Sequence, residues 1–244
     1  IEKLSKAINM KLVVVKPDAK QYYGLVKAYM RAGVPNLAVP QDNITIATVY
    51  ENLRKNNLKY FAIGGNFSLE CILQRGNSHP YVDTVNIKDI NKRFGDTPIN
   101  NLPLLSSWRK LYDNKILKIE TPRLLNYVDY NRDMAFFELN EFCGFEYYGG
   151  KHLENILTAF IQLYWLPKKF GVDKRTSHLS SMIVSGQLTR EQALEEYSKP
   201  LYDEDMMNEY IYIIKERLKI SDDEFENIMK SPIKQHTDYK YDKF

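Results

Sequence analysis

The chain has 244 residues, 44% hydrophobic and 27% charged, which is ordinary globular composition with room for one large or two small domains. Its formal net charge of +3 is too small to argue for nucleic acid, and KKFGVDKR is the one tight basic cluster. A phosphorylated small molecule fits that balance better than a polyanion.

Two distant cysteines, Cys71 and Cys143, supply neither a zinc knuckle nor a disulfide framework, so a reducing, cytoplasmic setting is expected. The longest apolar stretch, Ile156 to Leu166, is interrupted by Thr158 and Gln162 and does not read as a membrane span. No signal-peptide pattern is read at the start. The opening at Ile1, inside a helical pattern, reads as a piece of a longer protein.

In chain order, Lys11 to Lys16 (KLVVVK) is a β-branched run that predicts a buried strand, closed by Pro17-Asp18. Asp18 caps a helix over Ala19 to Ala32, with Leu25, Val26, Tyr29 and Met30 on one face and Gly33 as its stop. Asp42 or Asn43 caps the next helix, through Asn57. Lys59 to Ile63 predicts a second strand, running into Gly64-Gly65-Asn66, a strand–helix–helix–strand order that is the grammar of a parallel α/β sheet. Short helices follow at Ile87 to Phe94 and Leu104 to Tyr112, then an extended piece at Ile116 to Ile119. Asn131 caps a helix to Phe142 that Gly144 stops. Beyond Gly150 only helices are expected: His152 to Leu166, ended by Pro167; Thr176 to Ser185; Arg190 to Tyr197, opened by a Thr189-x-x-Gln192 capping box; Asp203 to Lys219; and a last one opened by Ser221. The polar, tyrosine-rich tail from Gln235 to Phe244 reads as a mobile end.

The candidate site residues fall in two groups. Gly64 and Asn66 lie at a strand end, with Glu70 one turn further, where open α/β sheets bind ligands; a plain tight turn is the competing reading. Asp42 reads first as a cap and second as part of a nucleotide pocket, and Arg123 as a buried cation needing Glu120 or a ligand phosphate. In the second group, Lys151 and His152 stand at a helix start, where the dipole disfavours cations unless an anion sits among them. Lys168, Lys169, Arg175 and His178, followed by Ser180 and Ser181, repeat that pattern, so these cations are expected to converge on one anion-binding cleft. A solvated charged face is the alternative. HExxH, zinc spacing and GxSxG are all missing from the sequence.

The segments PRLLNYVDYNRDMA, FEYYGGKHLENILTAF and YWLPKKFGVDKRTSHLSSMIVSGQLTREQALEE together resemble the C-terminal half of the N-acetyl sugar amidotransferases. The similarity runs from about Lys11 to Met229. It implies an α/β fold: a parallel-sheet, adenine-nucleotide alpha-hydrolase-like (PP-loop) domain over residues 1–130, N-terminally incomplete, then a helical C-terminal domain over residues 131–244. It implies ATP with Mg2+ as cofactors, adenylation of a sugar acetamido oxygen, and displacement of AMP by ammonia to give an acetamidino group. The ammonia would come from a glutaminase subunit through a cyclase-like channelling subunit. The setting would be surface-polysaccharide, O-antigen or flagellin-sugar biosynthesis, of the pseudaminic and legionaminic acid kind.

On that resemblance Lys151 and Arg175 hold phosphate or sugar carboxylate, and His152 shuttles the proton of the attacking ammonia. Gly64, Asn66, Glu70, Asp42 and Arg123 face nucleotide; Lys168, Lys169, His178 and Ser180 face the substrate. The SGGxDS loop of the family does not occur here, Gly65 stands where an acidic residue is usual, and Asn43 where histidine is usual. The chain alone is therefore expected to bind ATP poorly, as a fragment or as a naturally loop-less relative. Non-catalytic partner binding and tRNA modification are the other readings, the latter disfavoured by the modest charge and lack of cysteine pairs.

Overall fold

The computed structural model describes residues 1–147 and 154–243. Its α-helices in chain order are α1 (Glu2–Ala7), α2 (Ala19–Ala32), α3 (Val39–Lys55), α4 (Phe67–Glu70), α5 (Thr84–Phe94), α6 (Ser107–Lys115) and α7 (Arg132–Cys143). They continue with α8 (Ile156–Phe160), α9 (Arg175–Val184), α10 (Arg190–Ser198), α11 (Glu204–Leu218) and α12 (Asp222–Lys230). A π-helical stretch, Ile161–Phe170, extends α8 without a break.

Local signals account for most boundaries. The Asp18 carboxylate accepts from the Gln21 N–H at 3.0 Å to open α2, and Gly33 closes it at φ 68°. Asn131 and Gly144 bracket α7 in the same way, and the Thr189/Gln192 capping box opens α10. Pro167 does not end its helix as expected. The chain continues to Phe170, because π-type i→i+5 bonding leaves room for a ring that has no N–H to donate. Gly171 in the left-handed region makes the stop.

The expected parallel sheet is not there. Among the described residues 58% helix stands against 1% strand, and the one β-bridge is an isolated parallel pair, Tyr60 with Glu120. Residues 11–17 run without regular structure or a backbone hydrogen-bond partner among the described residues, and Val13 and Val14 are 56% and 69% exposed. The α/β assignment with a PP-loop domain is thereby corrected to a helical fold. Strand propensity describes how a side chain fits a pleated, half-buried surface. KLVVVK has the side chains for such a surface but no neighbouring strand, and KYFAI meets one only at Tyr60.

One core holds most of the molecule. Leu25, Val26, Tyr29 and Met30 of α2 pack with Ile87 and Ile90 of α5, Phe160 of α8, Ile214 of α11 and Phe225 of α12. Trp165 is fully buried there, its indole N–H donating to the Val34 carbonyl at 3.1 Å. This core draws on both sides of residue 130. A smaller cluster of Ala47, Tyr50, Leu53, Leu105 and Ile119 lies beneath α3. Beside it the buried Asp113 carboxylate takes Arg54 and Arg109. The tail corrects another expectation, because His236 and Tyr239 are buried and the Tyr239 hydroxyl donates to the Ala32 carbonyl at 2.6 Å.

Candidate functional site

The glycine turn is brought to the serine-rich helix α9. α4 lies along α9: the Ile72 N–H donates to Ser181 Oγ at 3.0 Å, and the Ser185 hydroxyl to the Ser68 carbonyl at 2.8 Å. Asn66, however, is spent on local structure. Its Oδ1 accepts the Leu69 N–H at 3.0 Å, capping α4, and its Nδ2 donates to the Gly64 carbonyl at 3.1 Å. A Cβ on Gly64 would meet nothing within 4 Å, so no close approach of backbone requires glycine there. Glu70 is half-buried beside Gly65, its Oε2 3.3 Å from where a Cβ on Gly65 would stand.

Arg123 is exposed, which corrects the expected buried cation. Asp42 lies inside the first turn of α3, because the helix begins at Val39 with Pro40 in that turn, so Asp42 is not the cap. Asn43 instead clamps two loops, donating to the Tyr81 and Leu105 carbonyls and accepting the Leu105 N–H. Gly64, Asn66, Glu70, Asp42 and Arg123 are therefore not gathered at a sheet edge among the described residues. Asn66 is saturated, Arg123 points into solvent, and no sheet edge assembles among the described residues. Nor does any group of three or more potential ligands for a metal ion occur among those residues. Asn66→Ala should cost about 1 kcal/mol of stability through the lost cap. A urea titration checks this, and an unchanged midpoint would contradict it.

Nor do the described residues Lys168, Lys169 and Arg175 converge on one point. Lys168 is exposed, while Lys169 is buried and its ammonium donates to the Ile228 and Ser231 carbonyls, each at 2.7 Å. The Arg175 guanidinium forks onto Asp173 at 2.8 and 3.1 Å, donates to the Lys199 carbonyl at 2.9 Å, and lies 5.0 Å over the Tyr197 ring. Lys169 thus braces α12 and Arg175 braces the end of α10, a correction to the shared anion cleft. His178 and Ser180 lie half-buried on α9. Lys151 and His152 lie outside the described residues.

A cleft of about 130 Å³ opens between α2, α3, α8 and α11. Val26, Leu157, Ile214 and Leu218 give it an apolar floor, and Tyr22, Gln41, Asn155 and Arg217 a polar rim. Asn155 caps α8 by accepting the Thr158 N–H, and its Nδ2 donates to Gln41 Oε1 at 3.2 Å. The Tyr22 hydroxyl donates to the same oxygen at 3.1 Å. Burial, with the nearby Tyr23 and Asp42, pushes the Tyr22 phenol well above its usual range, so it stays a neutral donor.

Beside Gln41, desolvation by the surrounding protein pushes the Asp42 carboxyl up to about 6, although the residue is exposed at the surface. A carboxyl with that value can exchange a proton near neutrality. Of this group only Asp42 was a sequence candidate. Tyr22, Gln41 and Arg217 come from three separate helices and carry no local motif. The available pointer was Asn155, three residues after His152.

Residues 154–244 match the family model described as LPS biosynthesis protein WbpG-like, C-terminal domain. No curated protein and no solved structure matches the chain. None of the helices of the described residues is long and apolar enough to cross a membrane. The match begins at Glu154, so that the cleft residues Asn155, Leu157, Ile214, Arg217 and Leu218 fall inside it while Tyr22, Val26 and Gln41 precede it. From Glu154 onward the chain is similar to WbpG-like C-terminal domains, which is consistent with its resemblance to the N-acetyl sugar amidotransferases.

Proposed function

We propose that the chain serves LPS biosynthesis as a component of an amidotransferase that converts a sugar acetamido group to an acetamidino group. The observation that carries this reading is the WbpG-like match over residues 154–244, which supplies five of the cleft's lining residues. Ammonia from a glutaminase partner, channelled by a cyclase-like subunit, belongs to the same proposal. An amide oxygen must be activated before ammonia can displace it. ATP with Mg2+ would supply that activation; of the residues expected to hold it, Asn66 is engaged in local hydrogen bonds and Arg123 is exposed. What the chain contributes is a small, half-apolar seat with hydrogen-bonding groups at its rim.

Deleting the gene in the producing cell tests the reading. LPS should then carry acetamido sugars in place of acetamidino sugars by mass spectrometry, and unchanged LPS would overturn the proposal. A second reading, a non-catalytic subunit that binds partners, is favoured by the exposed apolar run at Leu12–Val15. Complementation with His152→Ala separates the two: a catalytic chain fails to restore the acetamidino group, and a purely partner-binding one restores it.

A further inference from the structure

We propose that the cleft between α2, α3, α8 and α11 seats the acyl group of the N-acylated sugar, with Gln41 and Arg217 as donors to its carbonyl oxygen. This rests on the function proposed above and names the part of the chain that would recognise the substrate.

The argument starts from unused hydrogen-bonding capacity. Gln41 Oε1 accepts from both the Tyr22 hydroxyl and Asn155 Nδ2, which fixes the orientation of the amide. The amino end, Nε2, is then turned away from those two groups and makes no hydrogen bond among the described residues. Arg217 lines the same cleft, close enough to influence the Tyr22 phenol, and has no ion pair or hydrogen bond among the described residues. Two sets of donors at one rim call for an acceptor oxygen.

The floor limits what that oxygen can belong to. Val26, Leu157, Ile214 and Leu218 are all buried, and a phosphate or free carboxylate set on them would lose hydration over its apolar side, with Arg217 alone to offset the charge at the rim. A carbonyl oxygen beside a methyl group satisfies both halves, with the oxygen toward Gln41 and Arg217 and the methyl on the floor. Size agrees. The cleft is about 130 Å³, against the roughly 300–1,000 Å³ of pockets that enclose a whole drug-sized ligand. It takes the acetamido group and leaves the sugar ring outside, where a transferred group would have to remain accessible. Loss of Arg217 removes a charge-assisted donor, and loss of floor volume excludes the methyl.

The test uses the whole chain and two probes, N-acetylglucosamine and glucosamine, at about 10 mM, followed by saturation-transfer NMR. Saturation should reach the acetyl methyl of the first, and glucosamine should give no signal. Arg217→Met should weaken N-acetylglucosamine binding about tenfold. Leu157→Phe should abolish it, and since that change can harm folding, the exposed Arg217 variant stands as the independent arm. Binding that survives both substitutions, or no methyl signal from the unaltered chain, overturns the seat. Neither result touches the LPS measurement, and unchanged LPS with an intact methyl signal overturns the amidation reading while the seat stands.

Discussion

Lys169→Ala lowers the unfolding free energy by about 3 kcal/mol. The residue is 8% exposed, and its ammonium donates to the Ile228 and Ser231 carbonyls at 2.7 Å, to Ser231 Oγ at 3.1 Å and to the Met229 carbonyl at 3.2 Å. An ammonium has three hydrogens, so it is fully used, with one shared between two acceptors. These acceptors close α12, where the helix leaves carbonyls without partners and the dipole favours a cation. Burial lowers the Lys169 pKa, so the site holds a charge against a desolvation cost that the carbonyls offset. Removing the side chain leaves those carbonyls buried beside an empty stem channel next to Trp165. Lys169→Met keeps most of the stem volume and so separates capping from packing. Lys168→Ala, one residue away and exposed, should change stability by no more than about 0.5 kcal/mol. Urea midpoints of the three variants check this; a Lys169→Ala protein as stable as the unaltered chain would return Lys169 to the pool of free cations.

Lys169 also shows what the sequence could and could not say. Nothing near KKFGVDKR announces that its second lysine belongs to a helix end some sixty residues later. Arg175 carried more warning, since Asp173 lies two positions before it, and a fork onto that carboxylate was a local possibility. Helices α2, α7 and α10 were readable because caps, glycine stops and apolar stripes act within one or two turns. The sheet was misread because a strand is completed by a partner distant in sequence, and β-branched residues at Lys11–Lys16 and Lys59–Ile63 report only that such a partner would be tolerated. The cleft is non-local in the same sense. Asp42 was noticed as a helix-start carboxylate, but its elevated pKa comes from the surrounding fold, and Gln41 and Arg217 gain meaning only when α3 and α11 meet.

His236 makes the molecule lose stability in mild acid. The ring is buried, stacked on His79 with centroids 4.4 Å apart, and Nδ1 lies 3.1 Å from Asn86 Oδ1. Asn86 Nδ2 donates to the His236 and Lys240 carbonyls, which leaves Oδ1 as the acceptor and assigns the imidazole proton to Nδ1. Nε2 is buried without a partner, and the Tyr29 ring, 5.9 Å away, does not supply one. Burial first, then the neighbouring His79, with Asp83 opposing, depress the His236 pKa from 6.5 to about 3. Below pH 6.5 the unfolded chain therefore takes up a proton that the folded chain refuses. The stabilisation is complete above 6.5 and drains away as pH falls toward 3. At pH 5 the loss amounts to about 2 kcal/mol, from one and a half pH units at about 1.4 kcal/mol each.

Asp83 acts in a lower window. Burial raises its pKa, but hydrogen bonds from His79 and the Asn86 and Asp242 N–H groups outweigh that and hold it below the usual carboxylate range, so its contribution fades only as pH falls below 3.8. The first region to open should be the tail, which hangs on Asn86, on Asp89 through the Lys240 N–H, and on Asp83 through the Asp242 N–H. Urea unfolding and limited proteolysis at pH 7, 6 and 5 measure the slope and the site of opening. Asp42, whose raised pKa lets the folded chain take up a proton below about pH 6, works in the opposite sense, so the His236 contribution is read as the difference between the unaltered chain and His236→Gln, which cannot be protonated. Identical profiles for the two proteins would mean that the imidazole is solvated or protonated in the folded state.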